Sequence, residues 1–131
     1  MAQTLISLNA QDYITATFTQ NAAGAIPTLA FFVADSACKV ISSKVSYATA
    51  AGGASTVGIV KDPSGTAPGA GTVIGTALDM NTTVNTTYTQ TLSATPADYT
   101  LAAGDKLSIK VASGAAAGSA GVVWTVTLAR V

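Results

Sequence analysis

The sequence has no histidine and no glutamate, and it has a single cysteine. Without histidine or glutamate, general acid–base work near neutral pH falls to Asp, Lys, Tyr or Cys, each of which would need a strongly shifted pKa. The lone thiol, Cys38, excludes an intrachain disulfide, and the lack of histidine removes any Cys/His metal set. Cys38 therefore reads as a small buried apolar residue. Charge is scarce as well: 9% of the residues are charged, against ~25% in an ordinary soluble domain. Six acids, all aspartate, balance six bases to a formal net charge of zero. No cluster of Lys or Arg stands out, so there is no electrostatic footprint for nucleic acid or for an anionic membrane. No apolar run approaches the ~18 residues of a spanning helix. Met1–Leu8 lacks the basic start and long apolar stretch of a secretory signal peptide, so the expectation is synthesis in the cytoplasm.

What is present is alanine, threonine, glycine and valine. The hydrophobic fraction is 49%, yet aromatics are only 6%, so the core must rest on Val, Ile, Leu and a few rings. A length of 131 residues fits one domain over 1–131 with a core of its own. No composition shift marks an internal boundary, and no period of 20–50 residues repeats. With so few charges, the exposed surface must be coated with Thr, Ser, Ala and Gly. Such a surface repels neighbours weakly, which favours an oligomer or a lattice-bound subunit. A monomer hydrated by its hydroxyls is the other reading of the same composition.

Period-two alternation runs through the chain, whereas helical stripes with caps do not. In Lys106–Val111, Leu107, Ile109 and Val111 share one face and both lysines the other. In the C-terminal run, Val122, Trp124, Val126 and Leu128 share a face opposite Val123, Thr125, Thr127 and Ala129. Further strands are expected at Thr4–Asn9, Tyr13–Thr19, Thr28–Ala34, Cys38–Ala48, Ser55–Lys61, Thr72–Met80 and Val84–Ala94, each bounded by turn residues. Within Cys38–Ala48 the apolar parity changes between Val40 and Ile41, which predicts a β-bulge. Loops are expected at Ala50–Gly53, Asp62–Gly71 and Ser113–Gly121, the last being the least structured. Eight or nine short strands in this length predict an all-β antiparallel β-sandwich of jelly-roll type, with an immunoglobulin-like sandwich as the alternative.

No motif assembles chemistry. Ser43-Lys44 places a hydroxyl beside an amine, but neighbours on a strand point to opposite faces and cannot meet. The aspartates Asp12, Asp35, Asp62, Asp79, Asp98 and Asp105 are scattered, and Asp62 before Pro63 and Asp105 after Gly104 read as turn residues. No Asp-rich loop with alternating oxygen ligands suits calcium. Gly69-Ala70-Gly71-Thr72-Val73-Ile74-Gly75 has the wrong spacing for a dinucleotide fingerprint and opens a strand. Asn81-Thr82-Thr83 and Asn85-Thr86-Thr87 match a glycosylation acceptor but read as β-region asparagines in a chain without an export signal. Tyr13, Tyr47, Tyr88, Tyr99 and Trp124 are the rings available to stack on a sugar. The strand face shared by Trp124, Val126 and Leu128 instead assigns Trp124 to the core. Catalytic, cofactor-binding and metal-binding residues are accordingly expected to number none.

From Thr91 onward, Thr91-Leu92-Ser93, then Tyr99-Thr100-Leu101-Ala102-Ala103-Gly104-Asp105-Lys106-Leu107-Ser108-Ile109, then Gly121-Val122-Val123-Trp124-Thr125-Val126-Thr127-Leu128, the chain resembles small structural proteins of tailed bacteriophages. The step from a turn into a strand, followed by a Gly-rich loop and a final strand, is similar to the end of trimeric jelly-roll domains. A looser similarity runs from Phe31 through Met80. The resemblance implies a non-enzymatic virion component, foremost a capsid decoration (cement) subunit. It would be a homotrimer with the major capsid protein as partner. A receptor- or carbohydrate-binding domain of a head or tail fibre is the alternative. The resemblance carries no catalytic residue to transfer.

Overall fold

A computed structural model describes residues 12–131, and the strand expected at Thr4–Asn9 lies outside the described residues. The elements are β1 (Tyr13–Gln20), β2 (Leu29–Val33), β3 (Cys38–Ser46), β4 (Thr56–Asp62), β5 (Thr72–Val73), β6 (Leu78–Asp79), β7 (Tyr88–Thr89), a 3₁₀ turn at Pro96–Tyr99, β8 (Thr100–Leu101), β9 (Lys106–Ser113) and β10 (Val122–Arg130). They form two antiparallel sheets. The first has the order β1-β10-β3-β7, with β8 also on β3; the second has the order β2-β9-β4-β5, with β6 also on β4. β1 to β4 alternate between the sheets, and so do β9 and β10. The pairs β1·β10, β2·β9, β3 with β7 and β8, and β4 with β5 and β6 nest inside one another, as in a long hairpin rolled into a sandwich. That is the jelly roll, and it sets aside the immunoglobulin-like alternative.

Alternation explains the core. On β10, Val122, Trp124, Val126 and Leu128 are fully buried; on β9, Leu107 and Ile109 are; on β4, Val57 and Ile59 are; and all join one contiguous cluster. The expected bulge falls at Ile41. Thr127 pairs with Ser42 and Leu128 with Val40, so Ile41 is the extra residue. Cys38, Val40, Ser43, Val45 and Tyr47 thereby all point inward, whereas Ile41, expected on the register of Val45 and Tyr47, turns outward and is 46% exposed.

Two expected strands are interrupted. Across Thr72–Met80, Val73 pairs with Val60 and Leu78 with Val57, so four residues lie opposite two and the chain bows away from β4. At the crest of the bow Gly75 bridges to Leu92, so close that a Cβ on it would sit 2.2 Å from the Thr91 carbonyl oxygen. Across Val84–Ala94, only Tyr88–Thr89 is strand. The preceding residues form a loop whose short polar side chains bond to nearby backbone, with Asp79 Oδ1 accepting from Asn81 N–H and Thr86 Oγ1 donating to the Val84 carbonyl.

The Gly75–Leu92 bridge joins the two sheets along one side of the sandwich. The other side, between the terminal strands β1 and β2, has no ladder among the described residues. There Phe18 and Phe31 meet edge to face with centroids 6.3 Å apart.

Candidate interaction surfaces

The two outer faces of the sandwich differ. On the second sheet, the loop from Asp62 to Gly71 folds back over the strands. Asp62 is fully buried; its carboxylate accepts from the N–H groups of Gly69 (3.1 Å) and Gly71 (2.8 Å) and from the Ser108 hydroxyl. Lys106 and Lys110 add ammonium donors to the carbonyls of Thr66 and Gly69, the latter at 2.9 Å. Asp62 thus does turn work, but as the buried anchor of a ten-residue strap rather than as an exposed turn residue. A hollow of about 370 Å³ remains beside the strap. Its walls are glycine, alanine and valine with Lys110 at the edge, so it holds no nucleophile and no acid–base pair.

The outer face of the first sheet is bare. Its side chains stand in cross-strand rows: Tyr13, Ala129, Lys39 and Thr100; Thr15, Thr127 and Ser42; Thr17, Thr125, Lys44 and Thr89; Thr19, Val123 and Ser46. Hydroxyls predominate on this β surface, with two charges, Lys39 and Lys44, among them.

At one end of the sandwich four connections, 21–28, 48–55, 81–87 and 114–121, are bonded to one another. Gly24 bridges Ser119 and Thr49 bridges Ala120. Gly52 N–H donates to Ala117, Ala51 N–H to Met80, Asn85 N–H to Tyr47 and Gly121 N–H to Asn21, all to carbonyls. None of the twelve charged residues of the chain lies in these four connections, but the exposed Asp79 stands at the margin of the third, where its carboxylate accepts from Asn81 N–H. The stretch Ser113–Gly121, expected to be the least structured, is therefore built in, with Ala116 and Ser119 buried. Asn81 and Asn85 are exposed loop residues here, and Asn85 has a left-handed φ of 56°, so neither is the β-region asparagine expected from sequence.

Charge collects at the opposite end. Arg130 Nε lies 3.1 Å from Asp12 and Nη1 3.0 Å from Asp35, while Nη1 also donates to Ser36. The Arg130 hydrogen bond and charge hold the Asp35 carboxyl below its ordinary pKa. Lys61 caps the Ala97 and Thr100 carbonyls, and Asp98 accepts from Ser93. Asp105 closes its turn by accepting from Ala102 N–H, as expected.

The remaining sequence candidates do not converge. Ser43 is buried and Lys44 exposed on opposite faces. Cys38 is fully buried, and that burial pushes its thiol pKa up. Trp124 is fully buried, and Tyr47 lies under the stacked ring of Tyr88 at 6.0 Å. Tyr99 sits beneath Lys39 Nζ, while Tyr13 is 59% exposed. These rings make no common platform. Sequence reasoning missed Gln90, which is buried and accepts at Oε1 from Ser43 Oγ (2.8 Å), which in turn accepts from Trp124 Nε1 (2.8 Å). Its shared parity with Tyr88 and Leu92 was the available signal.

No helix among the described residues is long and apolar enough to cross a membrane. No family model and no curated protein matches the chain. Two solved structures show a similar chain course. One, described as "Bacillus endospore appendages form a novel family of disulfide-linked pili", is 19% identical over 93% of this chain and 88% of that one, with a TM-score of 0.41. The other, from infectious bursal disease virus Gx strain, is 18% identical over 92% of this chain and 32% of that one, with a TM-score of 0.48. Likenesses at this level carry no functional weight, and the jelly-roll assignment rests on the strand order alone.

Proposed function

We propose that this chain is a non-enzymatic structural subunit, one domain over 1–131. It binds a shell or fibre partner through its charge-poor end and associates with copies of itself. The observation that carries the reading is the chemistry of that end. Four connections are locked together by backbone hydrogen bonds and offer alanine, glycine, threonine and asparagine with no Asp, Lys or Arg. Such a surface is pre-ordered, so docking it costs little loop entropy, and the four connections themselves carry no charge to be stripped of water. In its finer form the reading is a capsid decoration (cement) subunit of a virion, homotrimeric, with the major capsid protein as partner. That form draws on the resemblance of the last third of the sequence.

A second reading, a receptor- or carbohydrate-binding tip, is favoured by one feature of the same end. The run Asn81–Thr87 is exposed throughout and rich in hydroxyls and amides, groups that pair with sugar hydroxyls.

Charge substitution tests the primary reading. Ala117→Asp and Thr83→Asp place a carboxylate on the neutral end, and Ala103→Asp places one at the charged end. All three residues are exposed. The first two should abolish incorporation into particles while the third is incorporated normally, all with unchanged far-ultraviolet spectra. Normal incorporation of both neutral-end variants would overturn the assignment of that surface.

A further inference from the structure

We propose that the hollow on the outer face of the second sheet binds a small monocarboxylate with an apolar tail, its carboxylate received by the side-chain amide of Gln90 beside Lys110. This is a function separate from assembly.

Gln90 is 2% exposed, and its Nε2 has no hydrogen-bond partner among the described residues. The orientation of the amide is fixed from behind. Trp124 Nε1 can only donate, and it donates to Ser43 Oγ, so the Ser43 hydrogen goes to Gln90 and must meet Oε1 there. Nε2 is therefore the atom turned away from Ser43. A buried donor without an acceptor carries a desolvation penalty, which a ligand oxygen placed against it relieves.

Nε2 meets the hollow at Gly58. Val57 and Ile59 of β4 point into the core, so position 58 faces outward. A Cβ on Gly58 would stand 3.5 Å from Gln90 Nε2 and 3.6 Å from Ala77, and Gly58 and Ala77 both line the hollow. Glycine thus leaves open the gap between β4 and the bow that follows Val73, and the amide faces the hollow through it.

Lys110 is the cross-strand partner of Gly58, and such partners hold their Cβ positions ~5 Å apart, so the lysine stem rises beside the same point. Its ammonium donates to the Gly69 carbonyl at 2.9 Å and keeps its other N–H donors. No aspartate lines the hollow. Its side-chain polar groups are thus donors beside a positive charge, a set that selects a carboxylate over a neutral acceptor or an ammonium. Val60, Val73 and Ala112 supply apolar walls, and Val73, 56% exposed, gains cover when a tail lies against it. The volume of about 370 Å³ falls at the small end of the ~300–1,000 Å³ of ligand pockets.

Titration of the isotope-labelled full chain with octanoate, followed by NMR, tests this, with octanol as the uncharged control. Octanoate should shift the Gln90 side-chain amide resonances together with those of Gly58, Ala77 and Ala112. Octanol should bind more weakly by roughly tenfold or more, the factor that a hydrogen bond to a charged group is worth. Gly58→Ala sets a methyl group in front of the amide, and Ala112→Leu fills the hollow from its exposed side; each should weaken octanoate by a similar factor with an unchanged far-ultraviolet spectrum. If one variant fails to fold, the other decides. Equal binding of octanol, an octanoate affinity unchanged in a folded variant, or a Gln90 amide that does not respond to millimolar octanoate, as when a bound water serves it, would overturn the assignment.

Discussion

Trp124 shows how one residue ties the sheets to their polar interior. Its ring fills the core while its Nε1 reaches Ser43, which passes the hydrogen bond to Gln90. Trp124→Ala should cost about 3–5 kcal/mol in denaturant unfolding, by loss of buried surface and creation of a cavity. Ser43→Ala should cost about 1–3 kcal/mol, because it leaves both the indole donor and the Gln90 acceptor buried without a partner. The inward placement of Trp124 was legible from parity alone. The chain of bonds behind it was not, since it joins residues 43, 90 and 124, and sequence spacing says nothing of such meetings. At the exposed end, Asp35 has its pKa lowered by Arg130. The contribution of that pair is complete above the ordinary carboxylate value of about 3.9 and fades as pH falls through the lowered one. Arg130→Ala should return the Asp35 midpoint upward, which a carboxyl NMR titration would record.

At the scale of elements, alternation located every long strand among the described residues, and the parity break near Ile41 located the bulge. The short strands were harder. β5 and β6 read as one strand because Thr72–Met80 is apolar enough throughout, and the bow between them depends on Gly75 meeting Leu92, far along the chain. Gly75→Ala should destabilise by about 1–3 kcal/mol, the usual cost of forcing atoms into a packed site, because its Cβ would meet the Thr91 carbonyl at 2.2 Å. Gly58→Ala, whose Cβ would have only ordinary contacts beginning at 3.5 Å, should be tolerated. Thermal melts of the two variants check the contrast. The strap from Asp62 to Gly71 was legible as a loop but not as a cover for the sheet, since Asp-Pro looks the same at a free turn and at an anchored one. Asp62→Ala should free it, giving faster proteolytic cleavage between Pro63 and Gly71 while the β spectrum is retained.

For the whole molecule, the sequence disclosed that charge is scarce, but only the fold shows that charge is segregated. Loops distant in sequence gather at one end, and none of their own residues is ionic, with Asp79 standing at their margin. Association through that end should therefore depend little on ionic strength. A charged interface, by contrast, would weaken as the screening length shrinks from ~10 Å at 0.1 M salt to ~3 Å at 1 M. The central claim is that the chain is built into an assembly rather than acting alone. The most direct measurement is its copy number in particles purified from the producing cells on a density gradient, counted by quantitative mass spectrometry. The account predicts many copies per particle in a fixed ratio to the shell protein, retained through a high-salt wash. Recovery of the chain only from the soluble fraction, as a monomer absent from every particle, would contradict it.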